Sequence, residues 1–134
     1  MSRMPLAALA LGLALPLLPA TIPQAEAQPN TCSNRVFVDS VYQIGLGGNR
    51  YAYKLQVRNG TPSPISVQIN IGTMYPNITP ISPQITGINL PANGSQTVDW
   101  ASGTNNDVSS RTISVVYDAP AVGGSPTISV TNCR

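Results

Sequence analysis

The sequence predicts an all-β fold: one antiparallel β-sandwich of seven or eight short strands, behind an N-terminal signal peptide. Three observations predict it. Over residues 51–71, apolar and polar side chains alternate. Tyr51, Tyr53, Leu55 and Val57 share one parity and Ala52, Lys54, Gln56 and Arg58 the other, then Ile65, Val67, Ile69 and Ile71 alternate with Ser66, Gln68 and Asn70. Successive strand side chains point to opposite faces, so each strand has one face for a core and one for water. Turn formers punctuate the chain, most densely at Asn59-Gly60-Thr61-Pro62-Ser63-Pro64. No segment after residue 27 carries a helical period.

Residues 1–27 read as the signal. Arg3 gives a positive start, residues 5–20 are an apolar Leu/Ala-rich run, and Ala25-Glu26-Ala27 offers small residues at both positions a signal peptidase reads. The expected cleavage lies between Ala27 and Gln28. A membrane anchor is the rival reading, but the run is shorter than the roughly 20 apolar residues a span needs, and Pro16 and Pro19 interrupt it. Cys32 lacks a lipobox-like sequence before it, which argues against lipidation. Residues 28–134 are one domain's worth of chain, without a further run of membrane-spanning length.

The charges of that domain are Asp39, Asp99, Asp107 and Asp118 against Arg35, Arg50, Lys54, Arg58, Arg111 and Arg134. They are dispersed, whereas a nucleic-acid footprint needs clustered Lys and Arg. An exported chain meets an oxidising compartment, periplasmic or extracellular, and its two cysteines, Cys32 and Cys133, are expected to form a disulfide. With no His and no further thiol, metal ligation is the weaker use for them. A bridge within one chain requires both cysteines at the same end of the sandwich, which in an up-and-down count demands an even number of strands. The eighth strand is expected between Gly72 and Pro91, near 74–78. Pairing between molecules is the alternative, and it would make the protein an assembling one.

Taken in order, the strands are predicted at 35–44, 51–58, 65–71, 85–90, 95–100, 111–117 and 127–131. Val36, Val38, Tyr42 and Ile44 share one parity of the first strand, with Phe37 and Val41 on the other. Gly45-Leu46-Gly47-Gly48-Asn49 follows as a hairpin connection. Pro76, Pro80, Pro83 and Pro91 confine their region to an edge strand or a crossover, because proline removes a ladder donor. Asn93-Gly94 is a turn, and 101–110 is a polar loop. Tyr53, Leu55, Val57, Val67, Ile69, Val98, Trp100, Ile113, Val115 and Ile128 are expected to form the core. This strand count and spacing suit an immunoglobulin-like sandwich.

Residues 51–100 carry a rhythm of strand, Asn59-Gly60-Thr61, strand, then Leu90-Pro91-Ala92-Asn93-Gly94-Ser95 leading into Val98 and Trp100. That rhythm resembles bacterial immunoglobulin-like adhesion modules of the CARDB kind. The terminal cysteines are not part of that pattern. The resemblance implies a non-enzymatic, extracytoplasmic binding or spacer role.

Chemical motifs are sparse. Without His, and with Lys54 alone among lysines on a wet strand face, no nucleophile has an adjacent base. The four Asp residues read as solvated or turn-capping rather than as a general acid–base pair. Asn105-Asn106-Asp107 supplies too few carboxylates for calcium. The glycines of 45–48 precede no helix that would hold a phosphate. Trp100 reads as a core filler. No enzyme activity, cofactor or metal is therefore expected. Lys54 and Arg58 lie on one face of one strand and form a possible partner contact, against the simpler reading of a solvated sheet face. Asn59, Asn77 and Asn93 each begin a glycosylation sequon, relevant only in a eukaryotic secretory route. The expected function is an exported interaction module for a protein or cell-envelope component. The alternative is a small soluble ligand carrier or inhibitor using the 45–49 and 101–110 loops.

Overall fold

The structure, a computed structural model, describes residues 30–121 and 124–134. The expected signal segment and its cleavage site lie outside the described residues. Eight strands form: β1 (Val36–Gly47), β2 (Arg50–Asn59), β3 (Ile65–Ile71), β4 (Ile78–Pro80), β5 (Gln84–Leu90), β6 (Ser95–Gly103), β7 (Ser114–Tyr117) and β8 (Thr127–Thr131). They build two four-stranded sheets, ordered β1-β2-β6-β4 and β5-β3-β8-β7. No helix is assigned among the described residues.

The inward faces follow the alternation read from the sequence. Tyr53, Leu55 and Val57 of β2, Val67 and Ile69 of β3, Val98 and Trp100 of β6, and Ile128 of β8 are all buried, as is Ile113 just before β7. Tyr53 and Trp100 pack as a tilted pair, with ring centroids 5.8 Å apart. Val115 departs from the expectation: it is only partly buried, against the rim of the core, because β7 is an edge. Replacing Leu55, which is fully buried, by Ala is expected to cost about 2 to 5 kcal/mol in equilibrium unfolding. A loss under about 0.5 kcal/mol would contradict the burial of this face.

Two bulges explain where parity reasoning slipped. The β1–β2 register shifts between Val38 and Ser40, so Val36, Val38 and Val41 face inward while Tyr42 and Ile44 turn to the outer face. The β2–β6 register shifts between Tyr53 and Lys54, so Trp100 and its neighbour Ala101 are both buried. A bulge sets two residues against one and resets the faces beyond it. Strands also run further than expected: β1 continues through Gly45 to Gly47, and β6 takes in 101–103, assigned to a loop by composition.

The eighth strand does fall between Gly72 and Pro91, at Ile78–Pro80 rather than at 74–78. It pairs with β6, and after only residues 81–83 the chain continues as β5 in the other sheet. Ile78 lies opposite the end of β6 and Leu90 opposite the start of β3, so β4 and β5 run in one direction. Together they are a single extended leg that changes sheets at Ser82-Pro83, where Ile81 N–H still reaches Trp100 O and Pro83 O still accepts from Ile71 N–H. Proline costs little there because the ladder is changing hands. Within β5, Gly87 at φ 75° supplies a bulge opposite Gln68.

The even count is thus correct, but alternation is not what brings the ends together. β7 and β8 pair in parallel, so the sandwich is not wholly antiparallel. Between the end of β7 and the start of β8, the described residues 119 and 121 lie against the outer face of the second sheet. Ser129 Oγ donates to Ala119 O, and a Cβ on Gly72 would stand 2.4 Å from that of Ala121. As a result Thr127, Ile128, Ser129 and Val130 are buried on both faces of β8. Both strands finish at the end where β1 begins, and there Cys32 and Cys133 form an intramolecular disulfide with Cα atoms 5.1 Å apart.

Candidate functional site

Three regions bear on function: the outer face of the first sheet, the cystine end, and the open side of the sandwich.

On the outer face, Lys54 pairs across strands with Asp99, Nζ to Oδ1 2.5 Å. Arg58 meets Asp39 with two hydrogen bonds of 2.8 and 3.2 Å, and its guanidinium stacks 4.6 Å over the Phe37 ring. The Asp39 hydrogen bond raises the Arg58 pKa further. Both cations of the expected partner contact therefore share one face, each already matched by a carboxylate. The charges that composition scattered are here two closed pairs, and the patch is close to neutral. Ile44 and Leu46 stand exposed at the far end of β1.

At the cystine end, Asp118 sits at φ 59°, a conformation Asp tolerates better than most residues. Its carboxylate accepts from Cys32 N–H at 2.7 Å, Ser33 N–H at 2.9 Å and Ser33 Oγ at 2.8 Å. Arg35 Nη1 donates to Thr31 O and Cys133 O, at 2.5 and 3.2 Å. The expected turn-capping Asp is thus a pin that holds the segment before β1 to the end of β7. Burial pushes its pKa up, but the Ser33 and Cys32 amides, the Ser33 hydroxyl and the Arg35 charge outweigh that and hold it below the usual carboxylate range. A depressed folded pKa gives stability that is present above the unfolded value and lost as pH falls through the folded one. Below about pH 4, the wild type should lose thermal stability more steeply than Asp118→Asn. Parallel acid melting curves for the two proteins would contradict the pin. An open hollow of about 830 Å³ lies beside it, lined by Asn30, Thr31, Asp118, Ala119, Pro120, Thr131 and Asn132.

The two long sides of the sandwich differ. On one, edges β4 and β5 are joined by the chain itself. On the other, β1 and β7 are edges with no backbone pairing between them, separated by a groove of about 420 Å³. Side-chain hydroxyls bridge it: Val38 N–H donates to Tyr117 Oη at 2.8 Å and Val41 N–H to Ser110 Oγ at 2.9 Å. Periodicity could not reveal this groove. The usable signal was the length of 118–126, too long for a hairpin and so a hint of a parallel edge.

The 101–110 loop leans on β1 rather than toward the β1–β2 turn. Gln43 Nε2 donates to Asn106 O at 3.0 Å, Gln43 Oε1 accepts from Val108 N–H at 2.9 Å, and Tyr53 Oη donates to Asn105 O at 2.7 Å. Ser110 alone of that loop lines the groove, and none of 45–49 lines either hollow. Of the sequons, Asn59 is fully buried, whereas Asn77 and Asn93 are exposed. Among the described residues, no three potential metal ligands cluster, and no helix is long and apolar enough to cross a membrane.

Fold and site together define a class: a small all-β two-sheet domain whose ends are clasped by a buried disulfide, with one long side closed by the chain and one open. Searches against protein-family models, curated proteins and solved structures find no match.

Proposed function

We propose that the chain is an exported, non-enzymatic, immunoglobulin-like module, akin to CARDB-type adhesion modules, that holds another protein or a cell-envelope component in the periplasm or outside the cell. The observation that carries this reading is the asymmetry of the sandwich. One pair of sheet edges is tied off, while the other is left unpaired beside a groove of mixed lining, where Val38, Val115 and Tyr117 meet Ser110, Arg111 and Ser114, and exposed sheet edges are what extended partners add to. The buried Cys32–Cys133 bridge supports an oxidising compartment.

Two measurements test it. Intact mass of the exported protein should give a mature N-terminus at Gln28; a soluble cytoplasmic species retaining Met1 would end the export reading. Crosslinked pull-down from the native envelope fraction should recover one specific macromolecular partner. Recovery of only a small ligand would favour the carrier or inhibitor reading instead.

A further inference from the structure

The open side has a defined chemistry. Ser114 N–H donates to Pro126 O and Asp118 N–H to Val130 O, so Ser114, Val116 and Asp118 turn their backbone groups toward β8. Alternate residues of a parallel strand face opposite neighbours. Val115 and Tyr117 therefore direct N–H and C=O away from β8, toward the groove, where no strand of the described residues pairs with them. The facing N–H groups of β1, on Val38 and Val41, are held by hydroxyls and not by a strand. Val38, Val115 and Tyr117 line the groove half-buried over the fully covered Val41 and Ile113. Arg111 stands exposed at the end where β7 begins. Among the described residues its guanidinium has no ion pair or hydrogen bond, in contrast to Lys54 and Arg58.

We infer that this groove docks an extended peptide that adds to β7 as an antiparallel strand, sets apolar side chains at alternate positions between the sheets, and presents its C-terminal carboxylate to Arg111. The inference rests on the interaction-module reading and names the partner's chemistry. Charge sets the direction. Arg111 lies by Ser114, so a carboxylate terminus there makes the peptide run from Tyr117 toward Ser114, against β7. Size agrees. The four residues of β7 span about 13 Å at a rise of roughly 3.3 Å each. The groove volume of about 420 Å³ falls within the roughly 300–1,000 Å³ of ligand sites. The backbone groups of Val115 and Tyr117 supply strand-addition hydrogen bonds, and the half-buried Val38, Val115 and Tyr117 side chains supply the apolar contact for alternate residues of the peptide. A planar guanidinium recognises a carboxylate in two-point fashion.

The test is a bead library of random pentapeptides with free C-termini, panned against the isotopically labelled full chain, with amide shifts mapped for the strongest binder. Enriched peptides should alternate apolar residues, and the largest shifts should fall on Val115 and Tyr117. Amidating the peptide C-terminus, or the surface change Arg111→Gln, should each weaken binding roughly tenfold, the scale of one lost charge-assisted hydrogen bond. Arg111→Gln should leave the thermal midpoint unchanged, which separates lost recognition from lost folding. The inference is overturned by no enrichment, by shifts that map elsewhere, by indifference to both changes, or by shifts at β7 that report concentration-dependent dimers without peptide. An envelope partner captured equally well by wild type and Arg111→Gln, with no peptide selected, would leave the module reading standing and remove this one.

Discussion

Replacing Cys32 and Cys133 together by Ala is expected to lower the unfolding free energy by about 4 to 5 kcal/mol, read from chemical denaturation. The bridge closes a loop with a sequence separation of 101 residues, so nearly the whole described chain loses freedom in the unfolded state. Both cysteines are fully buried, and replacing only one would leave a buried thiol and confuse the comparison. A loss below about 1 kcal/mol would mean that the Asp118 pin and the Arg35 bonds hold the ends unaided. The unsubstituted protein, with both cysteines in place, answers the question of pairing. It should run as a monomer without reductant and expose two alkylatable thiols only after reduction. A reducible ladder would instead place the bridge between molecules.

Asn59→Ala is expected to cost about 3 kcal/mol, although Asn59 sits in what reads as an ordinary turn. The side chain is fully buried, and both of its ends are committed. Its Nδ2 donates to Ser63 O at 2.7 Å and Pro91 O at 3.1 Å, with Leu90 O at 3.4 Å. Its Oδ1 accepts from Thr61 N–H at 2.9 Å and Thr61 Oγ1 at 2.8 Å. One amide thus ties the β2–β3 turn to the end of β5, joining the two sheets. Removing it takes a donor from the Leu90 carbonyl, in a buried contact, and from the part-buried contacts of the Ser63 and Pro91 carbonyls at once, and truncation cannot replace it. Asn59→Asp tests the donor alone: a carboxylate facing those carbonyls should be no better tolerated than Ala. A thermal midpoint for Asn59→Ala within a degree or two of wild type would remove the corner from the list of stabilising features.

Those same residues show what can and cannot be read from the chain. Alternation located β2 and β3 closely, because each covers one face of a core and nothing interrupts the period of two. It faltered at Asp39 and at Trp100, where one extra residue resets the faces and composition carries no mark of it. The cysteines demanded that the ends meet, which correctly called for a strand in the proline-rich region. The reason they meet, a parallel final pair, rests on a crossover whose course depends on the whole sheet. Side-chain partners were the least legible. Lys54 and Arg58 could be assigned to one face, but Asp39 and Asp99 reach them only through registers set by those bulges. The groove between β1 and β7 belongs to two strands far apart in sequence, and no local pattern announces it.

The clasp at the chain ends has a mechanical consequence. A load applied at residues 30 and 134 enters through Cys32 and Cys133 and crosses a covalent bond without pulling on either sheet. Held this way, the domain yields only the slack outside the bridge. With the bridge reduced, the 101-residue separation between the cysteines could pay out to about 350 Å at the roughly 3.3–3.6 Å per residue of extended chain. The redox state of one bond therefore sets whether the domain behaves under tension as an inextensible link or as a long spring.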